Sequence, residues 1–245
     1  MPTFSFQPSI SSFSTAFTSL LFFINAFIVW RSWRKNHDHL LKYFLIFLFS
    51  FAWQQLFFSL GTGTVSLNPK VNSWLWTIAH FFMFIGLSYF IRFPLAIQLP
   101  RLEKTIFTAS VLYSITGIGY FLLTAARPAV DSKLLTNNVF IYIVPATHTA
   151  IIVIFTTLLM LTSLIIFIYH AFKNKDRFVR WRSALIALAI LIFLTGGPVH
   201  NLVRTPGLTI LADALIAVSM IIMVVAVYIK KFFKTSQSTT LEKTS

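Results

Sequence analysis

The chain has 245 residues and no cysteine, which excludes disulfide bonds, thiolate metal sites and cysteine nucleophiles. Its formal net charge of +14 would favour nucleic-acid binding in a soluble protein, but 57% of its residues are hydrophobic and its mean hydropathy is +0.79. The basic residues lie between long apolar stretches, so we interpret the charge as a membrane-topology signal and exclude nucleic acid as a partner.

Seven apolar stretches follow one another along the chain, at residues 1–30, 43–69, 71–91, 105–126, 134–172, 183–203 and 205–229. Asp213 is the only charged residue within them. A helix of about 20 mostly apolar residues crosses the roughly 30 Å of hydrocarbon in a bilayer. The stretches do not alternate polar and apolar residues and are longer than barrel strands of about 10 residues, so we expect helices. We predict an all-α, polytopic protein with seven transmembrane helices in the lipid bilayer of the cell membrane. The predicted helices lie near residues 9–31, 42–60, 73–95, 104–125, 144–171, 183–203 and 207–232.

The connections are short, so we predict one bundle domain over residues 1–232 and a polar tail over 233–245. Pro94 and Pro100 predict a bent segment over 93–102 after helix 3. The apolar run at 139–144 is predicted either to extend helix 5 outward or to lie in the membrane interface. The N-terminal stretch lacks a basic region and a cleavage pattern, so we do not expect a signal peptide.

The basic residues predict the orientation of the bundle. Segments that are rich in lysine and arginine face the cytoplasm in most membrane proteins. Most basic residues of this chain lie in the first, third and fifth connections and in the tail, which places the N-terminus outside and the C-terminus in the cytoplasm. Only four of the 20 basic residues fall on the opposite side, namely Lys70, Arg127, Lys133 and Arg204.

Polar side chains are predicted at similar depth near the outer ends of five helices. At a rise of about 1.5 Å per residue, His80 lies roughly 10 Å below the outer end of helix 3, and Asp213 roughly 9 Å below that of helix 7. Polar residues inside a membrane are costly and usually face the interior of the bundle, so these residues are candidates for a ligand-binding site. The candidates are Gln54, Gln55, His80, His148, His200, Asn201 and Asp213.

The chemistry of this polar layer leaves several interpretations open. The imidazoles of His80, His148 and His200 with the carboxylate of Asp213 would suit zinc or copper. Two of these histidines could instead hold a haem, or the layer could bind a small polar ligand or sense protons. Each histidine could also simply bond a backbone carbonyl. Helix 7 contains no lysine before Lys230 at its inner end, so retinal bound there as a Schiff base is not expected.

A break is predicted near the outer end of helix 6, where Gly196, Gly197 and Pro198 precede His200. A helix that stopped at Gly196 would span only about 21 Å, which is too short to cross a bilayer. We therefore expect the helix to kink and continue. Proline frees a carbonyl one turn earlier, and broken membrane helices usually line cavities, so this segment is a candidate hinge.

Aromatic and basic markers occur in the first three predicted helices. They are Val29, Trp30, Arg31 and Arg34 closing helix 1, Trp53 in helix 2, and Trp74, Trp76 and Gly86 in helix 3. With its seven-helix layout, the chain resembles the membrane sensor region at the N-terminus of bacterial histidine kinases. The resemblance implies an input module for signal transduction. No kinase domain follows helix 7 in this sequence, so the output would need a separate cytoplasmic signalling partner.

Three functions are consistent with these patterns. The leading hypothesis is a receptor-like or sensor module that binds a small ligand or metal in an outer-leaflet pocket and signals to a cytoplasmic partner. The first alternative is a metal- or haem-dependent membrane enzyme or electron carrier that uses the same residues, although we assign no catalytic residue. The second alternative is a small transporter. The sequence leaves the oligomeric state open, including a homo-oligomer.

The predicted orientation can be tested by cysteine labelling, because the chain has no cysteine of its own. We expect a membrane-impermeant maleimide to label Lys133→Cys in intact cells. It should label Lys175→Cys only after the membrane is permeabilised, since the positive-inside rule places that residue in the cytoplasm. The opposite labelling pattern would show that the orientation is reversed.

Overall fold

The computed structural model describes residues 9–63, 69–125, 131–135, 139–202 and 205–241, with the side chains of 198–202 and 227–241, among others, outside the description. Seven helices in it are long and apolar enough to cross a membrane, which confirms the prediction of a seven-helix bundle in its coarse form. A short hairpin of two strands joins the fourth and fifth helices. The elements are α1 (Ile10–Asn36), α2 (His39–Gly63), α3 (Pro69–Gln98), α4 (Pro100–Ala125), β1 (Asp131–Leu135), β2 (Val139–Ile143), α5 (Ala146–Lys173), α6 (Arg177–Leu202) and α7 (Pro206–Leu241).

The hairpin corrects one prediction. The run at 139–144 does not extend helix α5; Val139–Ile143 forms β2 and pairs with β1 in antiparallel register, with Lys133 opposite Ile141. Valine, isoleucine and aromatic residues favour strands, and this run consists of nothing else. Pro145 then caps α5, and a proline at this position separates the strand from the helix.

Two further boundaries differ from the predictions. Helix α3 continues through Pro94, and Leu99 alone separates it from α4, so the break in the predicted segment 93–102 is confined to one residue. Proline is tolerated inside membrane helices because neighbouring groups satisfy the backbone that it leaves unbonded. At the other end of the chain, the backbone of α7 continues to Leu241, so most of the tail predicted at 233–245 is helical.

Six helices form a closed ring. Each of α1, α2, α3, α5, α6 and α7 packs against the next, and α7 packs back against α1. Helix α4 lies outside this ring, against α3 and α5. The hairpin lies against α1, α3 and α7 at the end of the bundle where α2 ends and α3 begins, which we call the outer end. The ring therefore encloses an interior that the hairpin approaches from its outer end.

Serine hydroxyls tie α1 to α2. The Ser59 hydroxyl donates to the carbonyl of Ser12 at 2.8 Å, and the Ser19 hydroxyl donates to that of Ala52 at 2.8 Å. Small residues such as serine allow membrane helices to approach closely. A hydroxyl that bonds a neighbouring helix is not left without a partner in lipid. These bonds fix the two helices at the beginning of the ring.

An arginine connects three helices near the inner end. The guanidinium of Arg92 on α3 pairs with the carboxylate of Glu103 on α4. It also lies over the rings of Tyr43 on α2 and Phe107 on α4, at 4.1 and 4.3 Å from their centroids. Both charged side chains are largely buried, so each depends on the other for compensation. This cluster holds α4 against the outside of the ring.

Removal of this carboxylate should weaken the attachment of α4. We expect Glu103→Ala to lower the free energy of unfolding by about 1–3 kcal/mol, because a largely buried cation loses its charged hydrogen-bond partner. Thermal unfolding of the purified protein in detergent measures the change. The neighbouring Lys104 is exposed, so Lys104→Ala is the matched control and should leave stability nearly unchanged. Equal effects of the two substitutions would contradict a stabilising role for the pair.

Candidate functional site

The ring encloses a cavity near its outer end. The cavity contains about 590 Å³ of empty space, counting the part that is continuous with the outside. All six helices of the ring contribute side chains or backbone to its wall. The lining consists of Thr15, Gln54, Gln55, Phe58, His80, Met83, Ile152, Val153, Thr156, Phe193, Gly197, Asp213 and Ile216.

Four of the candidate ligand-binding side chains meet in this cavity. Gln54 and Gln55 on α2, His80 on α3 and Asp213 on α7 all line its wall, together with Gly197 of the candidate hinge on α6. All four side chains are at least nine-tenths buried. Residues that are far apart in the sequence are thus brought together in one concave polar site.

His148 occupies a different place. Its ring stacks on that of Phe121 with centroids 4.9 Å apart and an interplanar angle of 10°, and its Nε2 hydrogen-bonds the Thr124 hydroxyl at 2.9 Å. The Trp76 ring lies 5.7 Å away at a steep angle. His148 is not part of the cavity lining; it packs between α3, α4 and α5. Because α4 lies outside the ring, a histidine that faces α4 turns away from the cavity.

The predicted site residues at the end of α6 cannot be placed by their side chains. The backbone of α6 continues through Pro198, His200 and Asn201 as a helix, in agreement with the expected continuation past the two glycines. Their side chains lie outside the described residues, and so does Arg204.

A hydrogen bond fixes the tautomer of His80. Its Nδ1 lies 2.9 Å from the carbonyl oxygen of Trp76, and because a carbonyl only accepts, Nδ1 carries the proton. The lone pair of the neutral ring is then on Nε2. The ring also lies against that of Trp76 at a tilt of 37°, with centroids 3.9 Å apart, and meets Phe58 edge to face at 5.3 Å. His80 is therefore held in one orientation at the wall of the cavity.

Two polar atoms of the cavity wall lack hydrogen-bond partners in the described structure. Oε1 of Gln54 and Oγ1 of Thr156 are buried and unbonded in the described structure. Most buried polar atoms in proteins are bonded, so such atoms in a cavity wall indicate a place where a ligand or water binds. Ser163, two turns further along α5, shows the usual arrangement, since its hydroxyl donates to the carbonyl of Leu159 at 2.9 Å.

Thr156, Thr15 and Phe58 are site residues that the sequence analysis missed. Threonine is common in membrane helices, where it usually bonds back to its own helix, so nothing in the sequence distinguished Thr156 from its neighbours. Phe58 is one of 28 phenylalanines. Only their position on the inner face of the ring separates these residues from the many similar ones.

The described residues do not assemble the predicted metal site. No group of three or more histidine, aspartate or glutamate side chains in the described part of the chain is arranged to hold a metal ion. His80 and Asp213 line the cavity, but His148 bonds Thr124 in a different part of the bundle. The fourth predicted ligand, His200, lies outside the described side chains.

The hairpin reaches the outer side of the cavity through Tyr142. The phenol ring lies 5.9 Å from that of Phe58, which belongs to the cavity wall. Its hydroxyl is buried against Gly61 at the end of α2, in space that any side chain at position 61 would occupy. Burial raises the pKa of Tyr142 above its usual range, so the hydroxyl stays neutral at physiological pH. The hairpin thus packs directly on one wall residue of the site.

Helices α6 and α7 approach closely at the glycine pair. A Cβ added to Gly196 would lie 3.0 Å from both the carbonyl oxygen of Ala212 and the Cβ of Leu215. The nearest atoms to a Cβ at Gly197 would be those of the Phe193 ring on its own helix, at 3.5 Å, which is ordinary contact. Gly196 therefore sets the distance between the helices, whereas Gly197 faces the cavity next to Phe193.

No protein-family model, curated protein or solved structure matches this chain. The functional argument therefore depends on the geometry of the cavity and on the chemistry of the residues that line it.

The two neighbouring glycines form a matched pair for a test. We expect Gly196→Ala to lower the free energy of unfolding by about 1–3 kcal/mol, because the new methyl group overpacks the contact with α7. Gly197→Ala should be neutral or slightly stabilising, since alanine favours a helix by up to about 1 kcal/mol over glycine. Thermal unfolding in detergent gives both values. A tolerated Gly196→Ala would mean that α6 and α7 can separate without cost.

Proposed function

We propose that this protein is a receptor-like sensor module that binds a small ligand in the polar cavity and transmits the binding to a cytoplasmic partner. The main support is the pair of buried, unbonded atoms in the cavity wall, Oε1 of Gln54 and Oγ1 of Thr156. Unsatisfied polar groups are costly in a low-dielectric interior, so a ligand that bonds both would bind favourably.

A ligand in this cavity would contact every helix of the ring. The wall contains Gly197 and Phe193 of α6 as well as Asp213 and Ile216 of α7. These two helices pack against each other at Gly196, one residue from the cavity. A ligand can shift a conformational equilibrium only through contacts that differ between the two states. The contact between α6 and α7 lies beside the cavity and contains the predicted hinge. A change in this contact would alter the ligand's contacts between the two states.

The signal would leave through the inner ends of the helices. Four exposed basic residues lie at the end of α5, in the short connection and at the beginning of α6: Lys173, Lys175, Arg177 and Arg180. A displacement of α6 would move this basic surface relative to the rest of the bundle. An acidic surface on a cytoplasmic partner would be complementary to it, and charge complementarity favours association.

The chemistry of the cavity favours this function over the two alternatives. A metal-dependent enzyme needs a ligand set that the described residues do not assemble. A transporter needs a polar path to the inner side, yet the second cavity, of about 200 Å³, contains a single polar residue in its wall. That wall consists of Asn25, Val29, Phe44, Leu48, Met220, Met223 and Val224.

Ligand binding can be tested by a thermal-shift screen of the full chain in lipid nanodiscs. The panel should contain amines, amino acids, carboxylic acids, sugars and nucleosides. We expect at least one class to raise the midpoint of unfolding in the wild type but not in Gln54→Leu, which removes the unbonded amide oxygen. The control is Gln98→Leu, which makes the same substitution at the inner end of α3, away from the cavity. A panel without any such compound would contradict the proposed pocket.

Signalling can be tested with spin labels, since the chain has no cysteine of its own. Lys35→Cys at the end of α1 and Lys175→Cys before α6 are both exposed and place two labels at the inner end. We expect a compound from the screen to change the distance between the labels, because the cavity adjoins the α6–α7 contact. An unchanged distance with bound compound would indicate a binding protein that does not switch.

A further inference from the structure

The unbonded atoms of the cavity wall specify what the polar end of a ligand must do. Oε1 of Gln54 and Oγ1 of Thr156 line the same cavity, and neither has a hydrogen-bond partner among the described residues. Both side chains are at least nine-tenths buried. An amide oxygen only accepts, whereas a hydroxyl carries one proton that it can donate. A ligand that completes both therefore donates one hydrogen bond and accepts another.

Thr156 differs from the other threonine of the described wall. The Thr15 hydroxyl donates to the carbonyl of Ser11 on its own helix at 2.8 Å. The hydroxyl of Thr162, further along α5, donates to the carbonyl of Leu158 at 2.7 Å. Such a bond within the helix is the usual arrangement for threonine. Since Thr156 does not make it, its proton is available to an acceptor in the cavity.

The same two atoms indicate an uncharged polar end. An amide oxygen and a hydroxyl carry only partial charges, and a full charge away from water is costly unless an opposite charge compensates it. His80 and Asp213 line the same cavity, but both already interact with other groups of the chain. The two atoms that await a partner, on Gln54 and Thr156, are therefore neutral ones.

The rest of the described wall is mostly apolar. Phe58 and Phe193 provide aromatic rings, and Met83, Ile152 and Ile216 provide flexible and aliphatic surface. Small-molecule sites commonly combine such a surface with a few placed polar groups that fix the orientation of the ligand. A ring or a short chain attached to the polar end would cover this surface and remove it from water.

We propose that the cavity takes a small uncharged molecule with an apolar body and one polar end that both donates and accepts, as a hydroxyl or a carboxamide does. The polar end donates to Oε1 of Gln54 and accepts from the Thr156 hydroxyl, and the apolar body packs against Phe58 and Phe193. This inference rests on the proposed ligand-binding function and specifies the class of ligand.

The test uses pairs of molecules of equal size, of which only one member donates. The first pair is 2-phenylethanol and its isomer benzyl methyl ether. The second is N-methylbenzamide and methyl benzoate, in which an oxygen replaces the N–H group. The full chain in lipid nanodiscs is titrated with each compound, and the readout is the shift of the unfolding midpoint. We expect the donating member to reach half-saturation at a concentration about three- to tenfold lower, as one neutral hydrogen bond would give. An ether or ester that binds as well as its partner overturns the inference.

Two substitutions separate the two hydrogen bonds. Gln54→Leu should remove the advantage of the donating member, because the acceptor is gone. Thr156→Val keeps the shape of the side chain and should weaken both members of a pair about equally, because both accept. The matched control is Thr162→Val, which removes a hydroxyl of α5 that bonds its own helix. An advantage that survives Gln54→Leu, or binding that Thr156→Val leaves unchanged, also overturns the inference. The comparison within a pair on the wild type does not require any variant to fold.

Charged relatives of the alcohol test the neutrality of the ligand. The ions of phenethylamine and phenylacetate share its ring and chain length, and we expect both to bind more weakly than 2-phenylethanol. Tighter binding of either ion, in a manner that depends on Gln54, would show that the site takes a charged ligand and would overturn the proposed class.

These results are separate from that of the wider screen, whose panel the two pairs extend. If the donating members bind no better than their partners while another class binds in a manner that depends on Gln54, the cavity is a ligand site and only the proposed class is wrong. If no compound of the extended panel binds, the proposed function itself fails. A donor advantage that Gln54→Leu abolishes supports both.

Discussion

The structure depends on the cost of an unsatisfied polar group away from water. In the interior of a membrane bundle, every hydroxyl, amide and charge needs a partner within the protein or a bound molecule. Along most of this chain the requirement is met locally or between neighbouring helices: the Ser59 hydroxyl bonds the carbonyl of Ser12, and the Ser163 hydroxyl bonds that of Leu159. The Arg92–Glu103 pair meets it for two opposite charges. The exceptions in the cavity wall, Oε1 of Gln54 and Oγ1 of Thr156, are informative because they line one concave space.

The ring arrangement creates those exceptions. Six helices that close on themselves leave an interior space, and α4 remains outside because the ring is already complete. At the outer end, polar side chains from α2, α3, α5 and α7 face this space, so they cannot all be satisfied by their own helices. Gly196 allows α6 and α7 to pack closely beside the space, and the hairpin packs on its outer side through Tyr142. The same packing that closes the bundle therefore leaves a polar site at one end.

One rule of sequence analysis succeeded for some residues and was insufficient for others. The rule that intramembrane polar residues face the interior led to Gln54, His80 and Asp213, which do line the cavity. The same rule selected His148, which faces α4 and hydrogen-bonds Thr124 through its Nε2. The sequence cannot distinguish these cases, because depth along a helix is visible in it but the identity of the neighbouring helix is not. Thr156 was missed for the converse reason, since threonine usually satisfies itself and gives no signal.

The sequence by itself determined the number of helices that are long and apolar enough to span a membrane, and the positions of the polar residues along them, because both follow from the length and polarity of contiguous segments. It did not reveal the strand at Val139–Ile143 or the passage of α3 through Pro94, where local preferences compete with neighbouring structure. Only the tertiary structure decided which helices close the ring, and therefore that Gln54, His80, Thr156 and Asp213 share one cavity while His148 does not. Neighbour relations between helices depend on the packing of side chains across long sequence separations, which no local pattern encodes.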